Sequence, residues 1–148
     1  MTLSPNQMFH DRYLLVELIG SGASAEVWKA LDTKAGNLAV ALKIFTSDIS
    51  KQGTYGLSVF QKEFTTVFNM THTNLLRPSG YDINEGCPYL TMQFCENGSA
   101  TSMVGRADEK VLLHLLHDVA AGLEYLHDHN IIHQDIKPEI GRASCRER

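Results

Sequence analysis

No stretch of this 148-residue chain is apolar enough to cross a membrane. The longest run free of Asp, Glu, Lys and Arg, Phe64 to Leu76, has 13 residues and contains Thr, Asn and His, whereas a spanning helix needs about 20 mostly apolar residues. The start, MTLSPNQMFHD, has neither the basic opening nor the apolar core of a secretory signal. Cysteine is scarce. Cys87, Cys95 and Cys145 are odd in number and lack metal-ligand spacing, which argues against a disulfide framework and fits a reducing, cytoplasmic compartment. Basic charge is also in short supply. Thirteen Lys and Arg stand against 17 Asp and Glu, for a formal charge of −4, so neither nucleic acid nor an anionic membrane is expected as a partner. Internal repeats and low-complexity segments are missing too. What is present, 43% apolar and 20% charged residues, is the composition of a soluble globular domain with its own core.

Tyr13 to Gly20 is an apolar run ending in glycine and reads as a strand. A turn of small residues, Gly20-Ser21-Gly22-Ala23-Ser24, leads into Ala25 to Leu31, whose alternation predicts the hairpin partner. Turn chemistry at Asp32 to Asn37 precedes a third strand, Leu38 to Phe45, with Lys43 inside its apolar run. Gly53 and Gly56 mark a loop. Val59, Phe60, Phe64, Val67 and Phe68 then recur at helical spacing and predict a helix over Leu57 to Met70. Short strands follow near Ser79 to Ile83 and Pro88 to Phe94, and Asn97-Gly98-Ser99 reads as a connector at a candidate domain boundary. Asp108 to His127 is the clearest helix. Leu112, Leu115, Leu116, Val119, Leu123 and Leu126 share one face, and Asp108 and Glu109 sit at its positive end. Three strands, a helix, two strands and a helix make an α+β pattern with an antiparallel sheet.

Three features carry chemistry. Gly20-x-Gly22 lets a backbone approach a phosphate closely and offer its amides, although G-x-G alone is more often a plain hairpin turn, and Ala25 stands where a third glycine would. Lys43 needs a partner if its strand is buried, and is ordinary if the strand has a solvent face. Glu63, the only glutamate between Glu26 and Glu85, lies on the predicted helix and is available as that partner, or is a solvated helical residue. The third feature is His133-Gln134-Asp135-Ile136-Lys137-Pro138-Glu139, after a long helix and the pair Ile131-Ile132. A carboxylate beside a lysine can receive a proton while the lysine holds a phosphate.

Taken in order, GSGASAEV at 20–27, VALK at 40–43 and HQDIKPE at 133–139, with Glu63 between, resemble the N-terminal half of a eukaryotic-type protein kinase domain. The resemblance covers Tyr13 to Glu139. It implies a small lobe over residues 13–94, a five-stranded antiparallel sheet plus one helix, preceded by an extension at 1–12. The hinge and the first helices of a mainly helical large lobe follow over 95–139. It further implies that ATP is bound by Ile19, Gly20, Ser21, Gly22, Ala23, Ser24, Ala25 and Val27, with Val27 and Ala41 over the adenine, Met92 at the gatekeeper position, and Gln93 to Cys95 as the hinge. Lys43 holds the α- and β-phosphates and is fixed by Glu63. Asp135 accepts the proton of the substrate hydroxyl, and Lys137 stabilises the transferred phosphoryl group. A lysine in D-x-K-P-E resembles Ser/Thr rather than Tyr specificity.

The sequence departs from the family pattern at two places. Gln134 replaces the usual arginine and has no charge to offer a phosphorylated activation loop. Ile140 occupies the position of the asparagine that ligates the second Mg²⁺, and no D-F-G or A-P-E follows. The string EIGRASCRER resembles translated sequencing adapter, so residues 140–148 are expected to be a non-native tail after a cut in the catalytic loop. Without them the chain has ten basic and sixteen acidic residues. The expectation is thus a fragment of an ATP-dependent Ser/Thr protein kinase, with ATP, Mg²⁺ held elsewhere, and a protein substrate. A nucleotide-binding scaffold without phosphoryl transfer is the alternative, and a small-molecule kinase fits the K-P-E string less well.

Overall fold

Alternating apolar residues in five stretches, plus one pair of residues with no period at all, build the first part of the molecule. The computed structural model describes residues 2–23, 25–45, 61, 64–66, 68–133 and 136. The chain divides into two compact units, Met1–Met70 with Leu76–Phe94, and Thr71–Leu75 with Cys95–Arg148.

The first unit is a sheet of strands β1 (Met8–Phe9), β2 (Tyr13–Ser21), β3 (Ala25–Asp32), β4 (Leu38–Phe45), β5 (Pro78–Asn84) and β6 (Cys87–Gln93). Every pairing is antiparallel, and the spatial order is β1-β2-β3-β4-β6-β5. The sheet therefore has six strands rather than the expected five, and the sixth lies in the segment read as an extension. Met8 and Phe9 pair with Leu14 and Tyr13. Two residues are too few to show a period of two, so nothing in the sequence marks them as a strand. The β5–β6 turn has positive φ at both Glu85 and Gly86, the geometry whose twist matches that of the flanking strands.

One face of the sheet carries the core of Phe9, Tyr13, Leu15, Trp28, Ala30, Val40, Leu42, Ile44 and Tyr89, with Leu3 packed against it. Tyr89 sits among edge-on rings, Phe9 at 5.1 Å and Tyr13 at 5.8 Å, pairs worth about 0.5–1.5 kcal/mol each beyond area burial. Burial holds the Tyr13 and Tyr89 hydroxyls protonated above the ordinary phenol range. The Tyr89 hydroxyl is satisfied by His10 Nδ1. At the rim, Arg12 donates to both oxygens of Asp32, at 2.9 and 2.7 Å. Asp32, 5% exposed, also accepts from the Lys34 amide at 3.1 Å and so caps the short 3-10 turn Thr33–Ala35. The Arg12 hydrogen bonds hold the Asp32 carboxyl below its ordinary range.

The expected helix over Leu57 to Met70 falls partly on described residues. Gln61, Phe64–Thr66 and Phe68 are helical, and Asn69 and Met70 are not. The Gly53 and Gly56 loop and the expected tail at 140–148 lie outside the described residues.

In the second unit, helix α1 (Glu109–Asp128) is capped by Asp108, whose carboxylate accepts from the Val111 amide at 2.8 Å. The Thr71–Leu75 segment lies against it. Asn74 Nδ2 donates to the Asp118 carbonyl at 2.7 Å, the Thr71 amide donates to the Tyr125 hydroxyl at 3.2 Å, and the His72 ring stacks on Tyr125 at 5.0 Å. Gly122 permits this approach, because a Cβ there would lie 3.3 Å from the Asn74 carbonyl oxygen. Of the apolar face expected on this helix, Leu126 is buried, while Leu112 and Leu116 are exposed. Among the described residues no helix is long and apolar enough to cross a membrane.

A carboxylate held below its ordinary pKa of about 3.9 adds stability above that pH and loses it as pH falls through the lower folded value. Arg12→Ala is therefore expected to cost about 1.5–3 kcal/mol at pH 7. The difference should shrink as urea unfolding is repeated from pH 5 down to pH 2. A difference independent of pH would show that the pair does not act through the Asp32 charge.

Candidate functional site

Strand β4 divides its side chains between two environments. Val40, Leu42 and Ile44 enter the core, so Ala41 and Lys43 belong to the opposite face. Residues directly opposite in paired strands share a face, and the register extends this face across the sheet. Val27 is opposite Lys43, Lys43 opposite Leu90, and Leu90 opposite Tyr81. A neighbouring row runs Lys29, Ala41, Met92. The structure therefore brings Val27, Ala41, Lys43 and Met92 onto one face of three adjacent strands.

The floor of this face is shallow and apolar. Ala41 is completely buried at 0% exposure, and the half-buried Val27 and Met92 lie beside it. Lys43 is half-buried, and its ammonium lies 5.2 Å from the centre of the Phe45 ring, two residues along the same face. Gln93 is opposite Val40, so its side chain has the parity of the core face and is exposed there. Only its backbone remains available toward the edge of the Ala41 floor.

At the open end, the hairpin between β2 and β3 is closed by the Gly22 amide donating to the Ala25 carbonyl at 2.9 Å. Register shifts between Leu15 and Glu17 and between Leu18 and Gly20 kink β2, and the half-buried Ile19 is the extra residue of the second shift. Neither Gly20 nor Gly22 has a positive φ. A Cβ on either would meet its nearest neighbour at 3.7 or 3.8 Å, an ordinary contact. The fold itself therefore does not require glycine at these positions. Ser21, Gly22 and Ala23 are exposed, and Ala25 is buried.

The helical segment reaches the same face. Phe64, 7% exposed, packs on Tyr81 with ring centres 4.0 Å apart and on Phe68 at 5.3 Å. Arg77 lies over the Phe68 ring at 4.9 Å. Tyr81 ends the row that contains Lys43, so this aromatic contact anchors the helix on the Lys43 side of the sheet. Glu63, the neighbour of Phe64, lies outside the described residues, as do Ser24, Asp135 and Lys137. Cys95 is buried in the second unit. Among the described residues no group of His, Cys, Asp and Glu is suited to hold a metal ion.

Lys29 was not singled out from the sequence. Its signal was there in parity, since it stands two residues after Val27 in the same strand and so shares its face. Leu90 and Tyr81 carried no such signal, because they join the face only through the non-sequential pairing of β4 with β6.

A family model described as "Protein kinase domain" matches residues 13–139. A probable serine/threonine-protein kinase of Dictyostelium discoideum is 33% identical over 122 residues, covering 80% of this chain and 19% of the relative. Inhibitor of nuclear factor kappa-B kinase subunit epsilon of Mus musculus is 31% identical over 147 residues, covering 93% and 19%. The chain thus spans about a fifth of the length of these relatives. Among solved structures, Rad53 1–466 in complex with AMP-PNP superposes with a TM-score of 0.73 at 22% identity, covering 86% of this chain and 33% of that one. A point mutant of the Mycobacterium tuberculosis PknI kinase domain gives a TM-score of 0.70 at 23% identity, covering 94% and 57%. At these identities the solved structures establish the fold, and the family model over residues 13–139 establishes the family.

Phe64→Ala removes the ring that seats the helix on Tyr81. The expected cost is about 3 kcal/mol, read by urea unfolding, with faster amide exchange at Thr65 and Thr66. Unchanged stability would show that this contact does not hold the helix.

Proposed function

Because this chain belongs to the protein kinase domain family, we propose that it forms the nucleotide-binding small lobe and the start of the catalytic lobe of an ATP-dependent Ser/Thr protein kinase. The observation that carries this reading is the row Val27–Lys43–Leu90–Tyr81. It puts the one cation of VALK beside an apolar floor and on the side of the sheet that receives the Phe64 helix. The complex of Rad53 with AMP-PNP supports a nucleotide of this kind as the ligand.

In this reading the adenine lies against Val27 and Ala41, with Met92 behind it and the backbone of Gln93 to Cys95 at its polar edge. Ile19 and the turn Gly20-Ser21-Gly22-Ala23-Ser24-Ala25 cover the phosphates, toward which exposed amides donate. Lys43 neutralises the α- and β-phosphates, with Glu63 holding the ammonium in place. The hydroxyl oxygen of a serine or threonine attacks the γ-phosphorus as the bond from that phosphorus to the β,γ-bridging oxygen breaks. Asp135 accepts the hydroxyl proton, and Lys137 balances charge on the phosphoryl oxygens in transit. Magnesium, which the family implies, finds no fitting ligand set among the described residues, and no step here runs through it. The partners are then ATP and a protein substrate, and the compartment is the cytoplasm, where ATP and reduced thiols coexist. Neither nucleic acid nor membrane is proposed as a partner.

Two variants separate this reading from a merely structural one. Lys43→Met is expected to weaken ATP binding to this chain at least tenfold, about 1.4 kcal/mol, and to cut turnover of the full-length gene product at least a hundredfold. Gly20→Ala is expected to leave thermal stability unchanged or slightly raised, because its backbone conformation suits alanine, while ATP affinity falls as the turn loses its close approach. Calorimetric titration with thermal melts reads both effects. Undiminished affinity in Lys43→Met would contradict the assignment.

A further inference from the structure

The backbone ladder that holds β6 ends at Gln93, the last residue paired with β4. Phe94 lies just past the end of that ladder, and in the reading above it is the middle residue of the hinge. Its half-buried ring receives a cation from across the sheet, with Lys29 Nζ 4.7 Å from the ring centre. Lys29 belongs to β3, which is separated from β6 by β4. The side chain therefore reaches across the sheet to Phe94, which stands two residues along the chain from Met92. Glu17 stands opposite Lys29 in β2, yet the Lys29 ammonium lies over the ring.

We propose that Lys29 is a positioning residue. By holding the Phe94 ring it fixes the backbone of Gln93 to Cys95, and so sets the polar edge that meets the base of the nucleotide. This rests on the reading of Gln93–Cys95 as the hinge. The contact is a cation over an aromatic face, which arginine reproduces and an uncharged side chain of equal length does not. The hinge is thus held from a strand two places away in the sheet, past the point where the β4–β6 ladder stops. A change at Lys29 would therefore act at the base end of the proposed site, whereas Lys43 is assigned to the phosphates.

The test uses the 148-residue chain and the variants Lys29→Met, Lys29→Arg, Phe94→Leu and Lys29→Met with Phe94→Leu. Amide hydrogen exchange without nucleotide is read at Phe94 and Cys95, with Trp28 and Ala30 as internal controls. Lys29→Met is expected to speed exchange at Phe94 and Cys95 about two- to tenfold and leave the controls unchanged. Lys29→Arg should restore protection, and the double variant should exchange no faster than Phe94→Leu. Unchanged exchange in Lys29→Met, failure of arginine to restore it, or additive effects in the double variant would overturn the proposal. ATP titration then separates it from the reading it rests on. Lys29→Met should weaken ATP by a similar factor. A native chain that binds no ATP would defeat the hinge assignment, while the exchange data would still decide whether Lys29 holds Phe94.

Discussion

A slip of β4 by one residue against its neighbours would turn Lys43 into the apolar core and Leu42 out of it. Everything else in the first unit depends on that not happening. Leu42, fully buried, and Ile44 and Val40 beside it tie the strand to the rings of Tyr89 and Trp28 on one side. On the other side the same register sets Ala41 between Lys29 and Met92, and Lys43 between Val27 and Leu90. The apolar core is thus what makes the polar face specific. Hydrophobic burial has no direction of its own, but combined with the two-residue pleat it dictates which side of the sheet a cation occupies.

The core face has its own lock at the sheet's rim. β1 places Phe9, 1% exposed, against Tyr89, and Arg12 ties the start of β2 to the end of β3 through Asp32. These residues lie on or beside the segment that looked like an extension. Its contribution was illegible because a two-residue strand has no period, and because the Arg12–Asp32 pair joins residues 20 apart in sequence. By contrast, Leu38 to Phe45 was legible to the residue, since its apolar run starts directly after the turn residues Gly36 and Asn37. The helix α1 was legible within one residue at each end, because Asp108 is both the first polar residue of the pattern and the cap.

The candidate site was legible in a different way. Gly20, Gly22, Lys43, Asp135 and Lys137 stood out through motif order rather than through any view of what they touch. The structure adds the geometry for Val27, Ala41, Lys43 and Met92, which converge because β4 pairs with β6 across a long stretch of intervening chain. No local pattern encodes that pairing, so Leu90 and Tyr81 could not be assigned to the face beforehand. Glu63, Asp135 and Lys137 keep the roles that the family resemblance implies, as proposals. The glycines add a separate lesson. Their backbone angles are ordinary and their surroundings would accept a methyl group, so the fold itself does not require glycine at either position.

The central claim is that one face of this sheet receives a nucleotide and the other does not. Methyl-resolved NMR during titration with ATP tests it most directly. The account predicts that signals of Val27, Ala41 and Met92 shift with saturating ATP while those of Ala30, Val40 and Leu42 stay in place. Shifts concentrated on Ala30, Val40 and Leu42, or none on Val27, Ala41 and Met92, would contradict it.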